Sequence, residues 1–165
     1  MKKMIGEDKL KSGSGTARTL EQRWNLTYRH AMGETVGHFF DVLKESGELH
    51  GRRCPSCQRV LLPPRSFCDR CFVSTTDWVS CGTTGTLQAF TIVNENFAGS
   101  PKGPYCIGYV LLEGASTAIL NFVDGVNLDD VDSAAKSLHI GMPVRLLVSP
   151  ERTGSMHDFR FELEY

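Results

Sequence analysis

Apolar and polar positions change period partway along the chain. Over residues 19–47 the apolar side chains recur at helical spacing, with Trp24, Tyr28 and Ala31 at i, i+4 and i+7. Gly33 interrupts that stripe. A second predicted helix starts at Glu34–Thr35, runs through Phe39, Phe40 and Leu43 and stops at Gly47. From Gly82 the period shortens to that of strands. GTLQAFTIVNEN is rich in β-formers, and ENFAGSPKGP after it is a loop with two prolines and two glycines. YCIGYVLL, STAILNFV, PVRLLVSP and FRFELEY are four further predicted strands. LDDVDSAAKSLHIG, between the third and fourth strands, reads as a short helix stopped by Gly141. Five strands with a helix in that place follow the order of an OB-fold barrel.

Between the helical and strand blocks lies a segment, 49–81, too poor in large apolar residues to fold on a core of its own. A domain that small needs a staple. CPSCQRVLLPPRSFCDRC supplies one: Cys54, Cys57, Cys68 and Cys71 form two Cys-x-x-Cys knuckles, ten residues apart. Each tight turn points two sulfurs at one ion, and two turns close a tetrahedron that suits zinc, or iron of the rubredoxin kind. A closed four-cysteine shell leaves no open position for water or substrate, so the metal is expected to fold the module rather than to catalyse. The predicted fold is therefore mainly β: a leader over 1–18, a helical arm over 19–48, a four-cysteine, rubredoxin-like zinc ribbon over 49–81 and a five-stranded OB-fold over 82–165.

Composition narrows the partners. The formal net charge of the 165-residue chain is −1, which gives no global electrostatic case for nucleic acid or membrane. No apolar run approaches the ~20 residues of a membrane span. MKKMIGEDKLKSGSGTARTL has no apolar stretch behind its lysines, so it reads as a solvated, mobile leader and not a secretory signal. A reducing cytoplasm is the expected compartment, where paired cysteines bind metal more often than they form disulfides. Cys81 and Cys106 stand apart from the quartet and read as small apolar residues. The five histidines, at 30, 38, 50, 139 and 157, make no metal-binding pair. Asp129, Asp130 and Asp132 open the short helix, where carboxylates favour the helix dipole. No nucleophile elbow, phosphate loop or dinucleotide fingerprint occurs, and a free-standing catalyst is not expected.

Two other readings use the same residues. Arg52, Arg53, Arg59, Arg65 and Arg70 make the ribbon locally basic, and Phe90, Phe97, Tyr105 and Tyr109 lie on or near strands, as in a module that stacks single-stranded nucleic acid. The arginines equally suit the phosphates of coenzyme A or a partner's acidic face. An iron-loaded quartet would make a rubredoxin-type electron carrier.

The combination of motifs resembles a family. Tyr-x-x-Ala-x-Gly-Glu before the ribbon, Pro-Pro-Arg between the knuckles, Trp78 after it, Phe-Thr-Ile-Val on the first barrel strand and Pro-Tyr before the second are similar to acyl-CoA-associated proteins that join a rubredoxin-like zinc ribbon to an OB-fold. The resemblance runs from Trp24 to the C-terminus. Gln58 departs from it, standing where many members have glycine, and Cys81 stands where a small residue is usual. Family members act with larger enzymes: thiolases, thiolase-like aldolases and enoyl-CoA hydratases. One is the small subunit of a benzoylsuccinyl-CoA thiolase. The resemblance implies a non-catalytic subunit, in a hetero-oligomer with a thiolase that cleaves a 3-oxoacyl-CoA, which helps to shape the coenzyme A site. Trp24, Tyr28, Phe39 and Phe40 are then the candidate docking anchors. Arg65, Asn94, Phe97, Lys102 and Tyr105 are the candidate contacts to coenzyme A or substrate.

Overall fold

The structure, a computed structural model, describes residues 11–12, 18–19, 29, 31–95 and 100–165. It divides into two units, Met1–Ala31 and Met32–Tyr165. In the first, β1 (Lys11–Ser12) pairs antiparallel with β2 (Arg18–Thr19). Thr19 is thus in extended backbone where the pattern predicts a helical arm to begin. Trp24 and Tyr28 lie outside the described residues, and Ala31, the last member of their stripe, is not helical.

Helix α1 (Glu34–Ser46) begins where expected. Gly33 caps it in extended backbone, Glu34 sits in the first turn and Lys44 in the last, as the helix dipole favours. Gly47 ends it in the left-handed region at φ 79°, donating its N–H to the Leu43 carbonyl. The buried stripe is Phe39 and Leu43, which pack into the same core as the barrel. Phe39 is only 3% exposed, so the docking role read from the sequence is corrected: it is a core residue, and Phe40 packs half-buried beside it. Arg152, from the last barrel loop, closes the helix end. Its Nε donates to the Lys44 carbonyl at 2.9 Å and its Nη2 to the Glu45 carbonyl at 3.3 Å. The helix therefore lies on its own chain.

The ribbon sheet has the order β4 (Val60–Leu61), β3 (His50–Arg53), β5 (Trp78–Ser80), all antiparallel. Gly51 allows the close approach of β3 and β4: a Cβ there would stand 2.6 Å from Val60 Cγ1 and 2.9 Å from the Leu61 carbonyl oxygen. The ribbon is clamped to the barrel through β4 and the segment after it. Ser116 Oγ accepts from the Val60 N–H at 3.1 Å, and the Ser116 N–H donates to the Val60 carbonyl at 2.7 Å. Thr117 Oγ1 accepts from the Leu62 N–H and donates to the Leu62 carbonyl, both at 2.8 Å.

The barrel closes in the order β10 (Phe159–Leu163), β8 (Ile119–Asp124), β7 (Tyr105–Leu112), β6 (Thr84–Val93), β9 (Pro143–Val148). Only β8 and β10 run parallel; the other described barrel pairs are antiparallel. This is the expected five-stranded OB-fold. Leu87, Val110, Leu112, Ile119, Val144, Phe159 and Phe161 fill it. Helix α2 (Val131–Ser137) lies between β8 and β9, with Asp130 as its N-cap accepting from the Asp132 and Ser133 N–H groups. That accounts for the acidic run as a cap rather than a cation site.

Candidate metal centre and barrel-end cleft

The two knuckles are built alike. In the first, the Cys54 N–H donates to the Arg59 carbonyl and the Gln58 N–H to the Cys54 carbonyl. In the second, the Cys68 N–H donates to the Val73 carbonyl and the Phe72 N–H to the Cys68 carbonyl. The residue after each second cysteine is forced into left-handed backbone, Gln58 at φ 61° and Phe72 at φ 55°. Glycine is favoured there, which explains why the Gln58 departure leaves the turn intact but strained. The Gln58 side chain compensates by donating to the Pro55 carbonyl at 2.8 Å.

The four sulfurs of Cys54, Cys57, Cys68 and Cys71 all lie within 4.8 Å of one another, with Cys57 and Cys68 Sγ 3.8 Å apart. A tetrahedron of ~2.3 Å metal–sulfur bonds has edges of ~3.8 Å, so the donor set fits one tetrahedral, thiophilic ion. Cys54 and Cys68 are buried and Cys57 and Cys71 half-buried. The N–H of Arg70, with further bonds from Cys71 and the neighbouring sulfurs, lowers the Cys68 thiol to about 7 against its burial, toward the thiolate a metal needs. Cys81 and Cys106 differ. Burial pushes both thiols up, Cys106 to about 11, and they stay protonated at neutral pH. They are the small apolar residues the sequence suggests.

The ribbon arginines are largely engaged within the ribbon. Arg59 and Arg65 share Asp69, at 3.2 and 3.4 Å. Arg52 stacks on Trp78, 4.8 Å from the ring centroid, and donates to the Thr75 carbonyl. His38 packs on the same Trp78, with centroids 4.0 Å apart. His50 pairs with Glu48 at 2.8 Å and is not part of the sulfur cluster.

At one end of the barrel is a cleft of about 580 Å³, lined by the start of β7, the end of β8 and the loop before β10. This lies within the roughly 300–1,000 Å³ of small-molecule sites. Its wall is apolar: Pro101, Pro104, Val126 and Leu128, with Tyr105 and Phe122 edge to face at 5.5 Å. Its polar groups are His157, Asp124 and Arg160, the last two paired at 3.3 Å.

Sequence reading missed the group that holds the loop beside this cleft. Buried Asp158 accepts the N–H groups of Thr153, Gly154 and Ser155 on Oδ2, at 2.8, 2.6 and 3.0 Å. Its Oδ1 accepts the hydroxyls of Thr153 and Ser155. Burial alone would raise this carboxyl, but the N–H bonds outweigh it and hold the group at about 2. Ser155 caps the short 3₁₀ turn Met156–Asp158, which carries His157. The signal was present: Ser155-x-x-Asp158 has capping-box spacing. Asn121, buried in β8, anchors the same turn by donating to the Met156 carbonyl at 2.9 Å.

The predicted ligand residues are not gathered in one place. Tyr105 lines the barrel-end cleft. Arg65 lines a separate groove between the start of α1 and the second knuckle, with Val36, Pro64 and Phe67. Asn94 and Lys102 are exposed in the loop between β6 and β7, and Phe97 lies outside the described residues. Among the described residues no helix is long and apolar enough to cross a membrane.

Two family models match the chain: the ChsH2 rubredoxin-like zinc ribbon domain over residues 43–77, and the ChsH2 C-terminal OB-fold domain over 78–148. No curated protein matches it. Among solved structures, a DUF35-family protein of unknown function from Sulfolobus solfataricus is similar, with a TM-score of 0.59 at 20% identity, over 80% of this chain and 87% of that one. A structure described as the Ltp2-ChsH2(DUF35) aldolase is also similar, with a TM-score of 0.59 at 20% identity, over 82% of this chain and 97% of that one. At such identity these structures speak for the fold. The paired domain matches, contiguous from the end of α1 through β9 and laid over the four-sulfur ribbon and the closed barrel, place this chain in the ChsH2 family of zinc-ribbon and OB-fold proteins.

Proposed function

We propose that this chain is the non-catalytic subunit of a heteromeric acyl-CoA enzyme, a thiolase that cleaves a 3-oxoacyl-CoA. One observation carries the reading: a chain of this family and fold stands beside Ltp2 in the structure described as an Ltp2-ChsH2(DUF35) aldolase. The chemistry of the chain supports it. A four-thiolate set fills a tetrahedral ion and leaves no coordination site for substrate, while the two remaining thiols are buried and protonated. The ion is zinc, and its work is to fold the ribbon. Catalytic residues belong to the partner. Tyr105 in the barrel-end cleft, flanked by the loop bearing Asn94 and Lys102, meets the coenzyme A or acyl moiety at the shared site. Arg65, half-exposed and paired with Asp69 at 3.4 Å, lines a separate groove beside the second knuckle.

The test is a mild, low-salt purification of the protein from its native cell, with metal analysis and assays of the pure chain and of the complex. The expected result is a colourless zinc protein in stoichiometric complex with a thiolase-fold chain, cleaving 3-oxoacyl-CoA only as the complex. Cleavage by the chain alone, a red reducible iron centre, or a chain that elutes with nucleic acid would each overturn the reading.

A further inference from the structure

The outside of the barrel shows a feature the subunit reading does not use. Along β7 the alternate residues Cys106, Gly108, Val110 and Leu112 are buried. Gly108 fixes the orientation, since a Cβ there would meet Leu87 and Val123 of the core at 2.6 and 2.9 Å. Tyr105, Ile107, Tyr109 and Leu111 therefore point outward, and none is polar except for the tyrosine hydroxyls. In β8 Ile119 and Val123 are buried in the usual way, but polar Asn121 is buried with them, while apolar Leu120 faces out. Register places Tyr109 between Ala89 and Leu120, and Ile107 between Thr91 and Phe122. The result is one apolar surface across β6, β7 and β8, with a shallow depression of about 290 Å³ at Tyr109 and Leu120. Tyr109 is 48% and Leu120 39% exposed. Antiparallel sheets ordinarily turn a polar face to water, so this one is built to be covered.

We propose that this face seats the catalytic partner chain, against an apolar, uncharged groove on that chain; this rests on the subunit reading above. Charge selects the occupant. No lysine or arginine projects from these outward positions, so neither a phosphate backbone nor an anionic lipid surface finds a counter-ion. The nearest cation along the sheet, Arg160, is paired with Asp124. Shape argues against a second copy. The face is the convex outside of a closed barrel, whereas standard interfaces share ~800 Å² per partner. Two convex faces would share still less, whereas a groove in a larger chain wraps the face and continues past it. A closed barrel has no free strand edge, so strand addition is not an alternative. The face also runs, through Tyr105 and Phe122, into the rim of the barrel-end cleft. A partner seated there reaches that cleft.

The experiment places the photoreactive residue p-benzoylphenylalanine at position 109, or at position 140 as a control, and irradiates the native complex. Ile140 is 66% exposed, in the segment that joins α2 to β9. The expected result is a cross-link from position 109 to the co-purifying enzyme chain and none from 140. Leu120→Glu and, separately, Tyr109→Lys should each lower the recovered partner about tenfold with metal content and circular dichroism unchanged. A complex carrying p-benzoylphenylalanine at 109 that stays intact but gives no cross-link, or one only to a second copy, overturns the face and leaves the subunit reading standing. A wild-type chain that carries no enzyme partner overturns both.

Discussion

Asp158→Asn tests whether one carboxylate organises the loop beside the cleft. The substitution keeps the size and removes the charge. The amide nitrogen cannot take the place of Oδ2, where three N–H donors converge at 2.6–3.0 Å. It must take the place of Oδ1, where the Thr153 and Ser155 hydroxyls can rotate to accept. The three backbone bonds then survive as neutral ones. Bonds to a charged acceptor are worth about 1.5–3 kcal/mol each and neutral ones about 0.5–1.5, so three bonds each weakened by at least about 1 kcal/mol cost about 3–4 kcal/mol. The pH dependence has a definite sign. The folded-state pKa, about 2, lies below the ordinary 3.8, so the contribution is complete above about pH 5 and disappears as the pH falls through the folded value. Urea denaturation of both proteins should give a constant gap from neutral pH to about 5, narrowing below about 4. Ribbon thiolates also protonate in acid, but they do so in both proteins and cancel in the difference. Amide exchange at Thr153, Gly154 and Ser155 should accelerate in the variant. Stability within about 0.5 kcal/mol of wild type at pH 7, with those amides still protected, would refute the argument.

Two more predictions come from local geometry. Phe72→Gly relieves left-handed backbone at a side chain that is 83% exposed, and should raise ribbon stability by about 0.5–1 kcal/mol in metal-release or thermal melts. Gln58→Gly relieves the same strain but forfeits the bond to the Pro55 carbonyl, so its gain should be smaller. Arg152→Ala uncaps α1 and should cost about 1 kcal/mol, with faster exchange confined at first to the last turn of the helix.

What could be read from the sequence was what short stretches decide on their own. The knuckle spacing specifies the four sulfurs because the ligands are neighbours within each turn. YCIGYVLL and FRFELEY coincide closely with β7 and β10 because a strand's period is local. What covers a face is not local. The stripe through Phe39 and Leu43 says that α1 buries one side, but only the fold shows that the partner is its own barrel. For the same reason Phe39 looked like an anchor for another chain. The candidate ligand residues came from separate segments, and the fold sends Arg65 to the ribbon groove and Tyr105 to the barrel cleft. Asp158 was legible through its capping-box spacing, yet its burial depends on a loop folding back over the carboxylate.

The ribbon and barrel share more than a linker, and this bears on what the metal does. Leu49, Val60 and Leu62 of the ribbon belong to the same buried cluster as Leu112, Val144 and Phe159 of the barrel. Ser116 and Thr117, in the turn between β7 and β8, make four hydrogen bonds to Val60 and Leu62. If the ribbon unfolds, those apolar side chains leave the core and the backbone groups of that turn lose their partners. Structural zinc contributes about 10–16 kcal/mol of apparent binding energy to small domains that cannot fold without it. Cys54→Ser or a strong chelator should therefore release about one metal per chain and also lower the barrel's melting temperature. Amides of Ala115–Thr117 should lose protection before those of β9 and β10. Both are read by metal analysis and by hydrogen exchange with mass spectrometry. A metal-free protein whose barrel melts at the wild-type temperature would show that the shared core and the Ser116–Thr117 clamp do not couple the two domains.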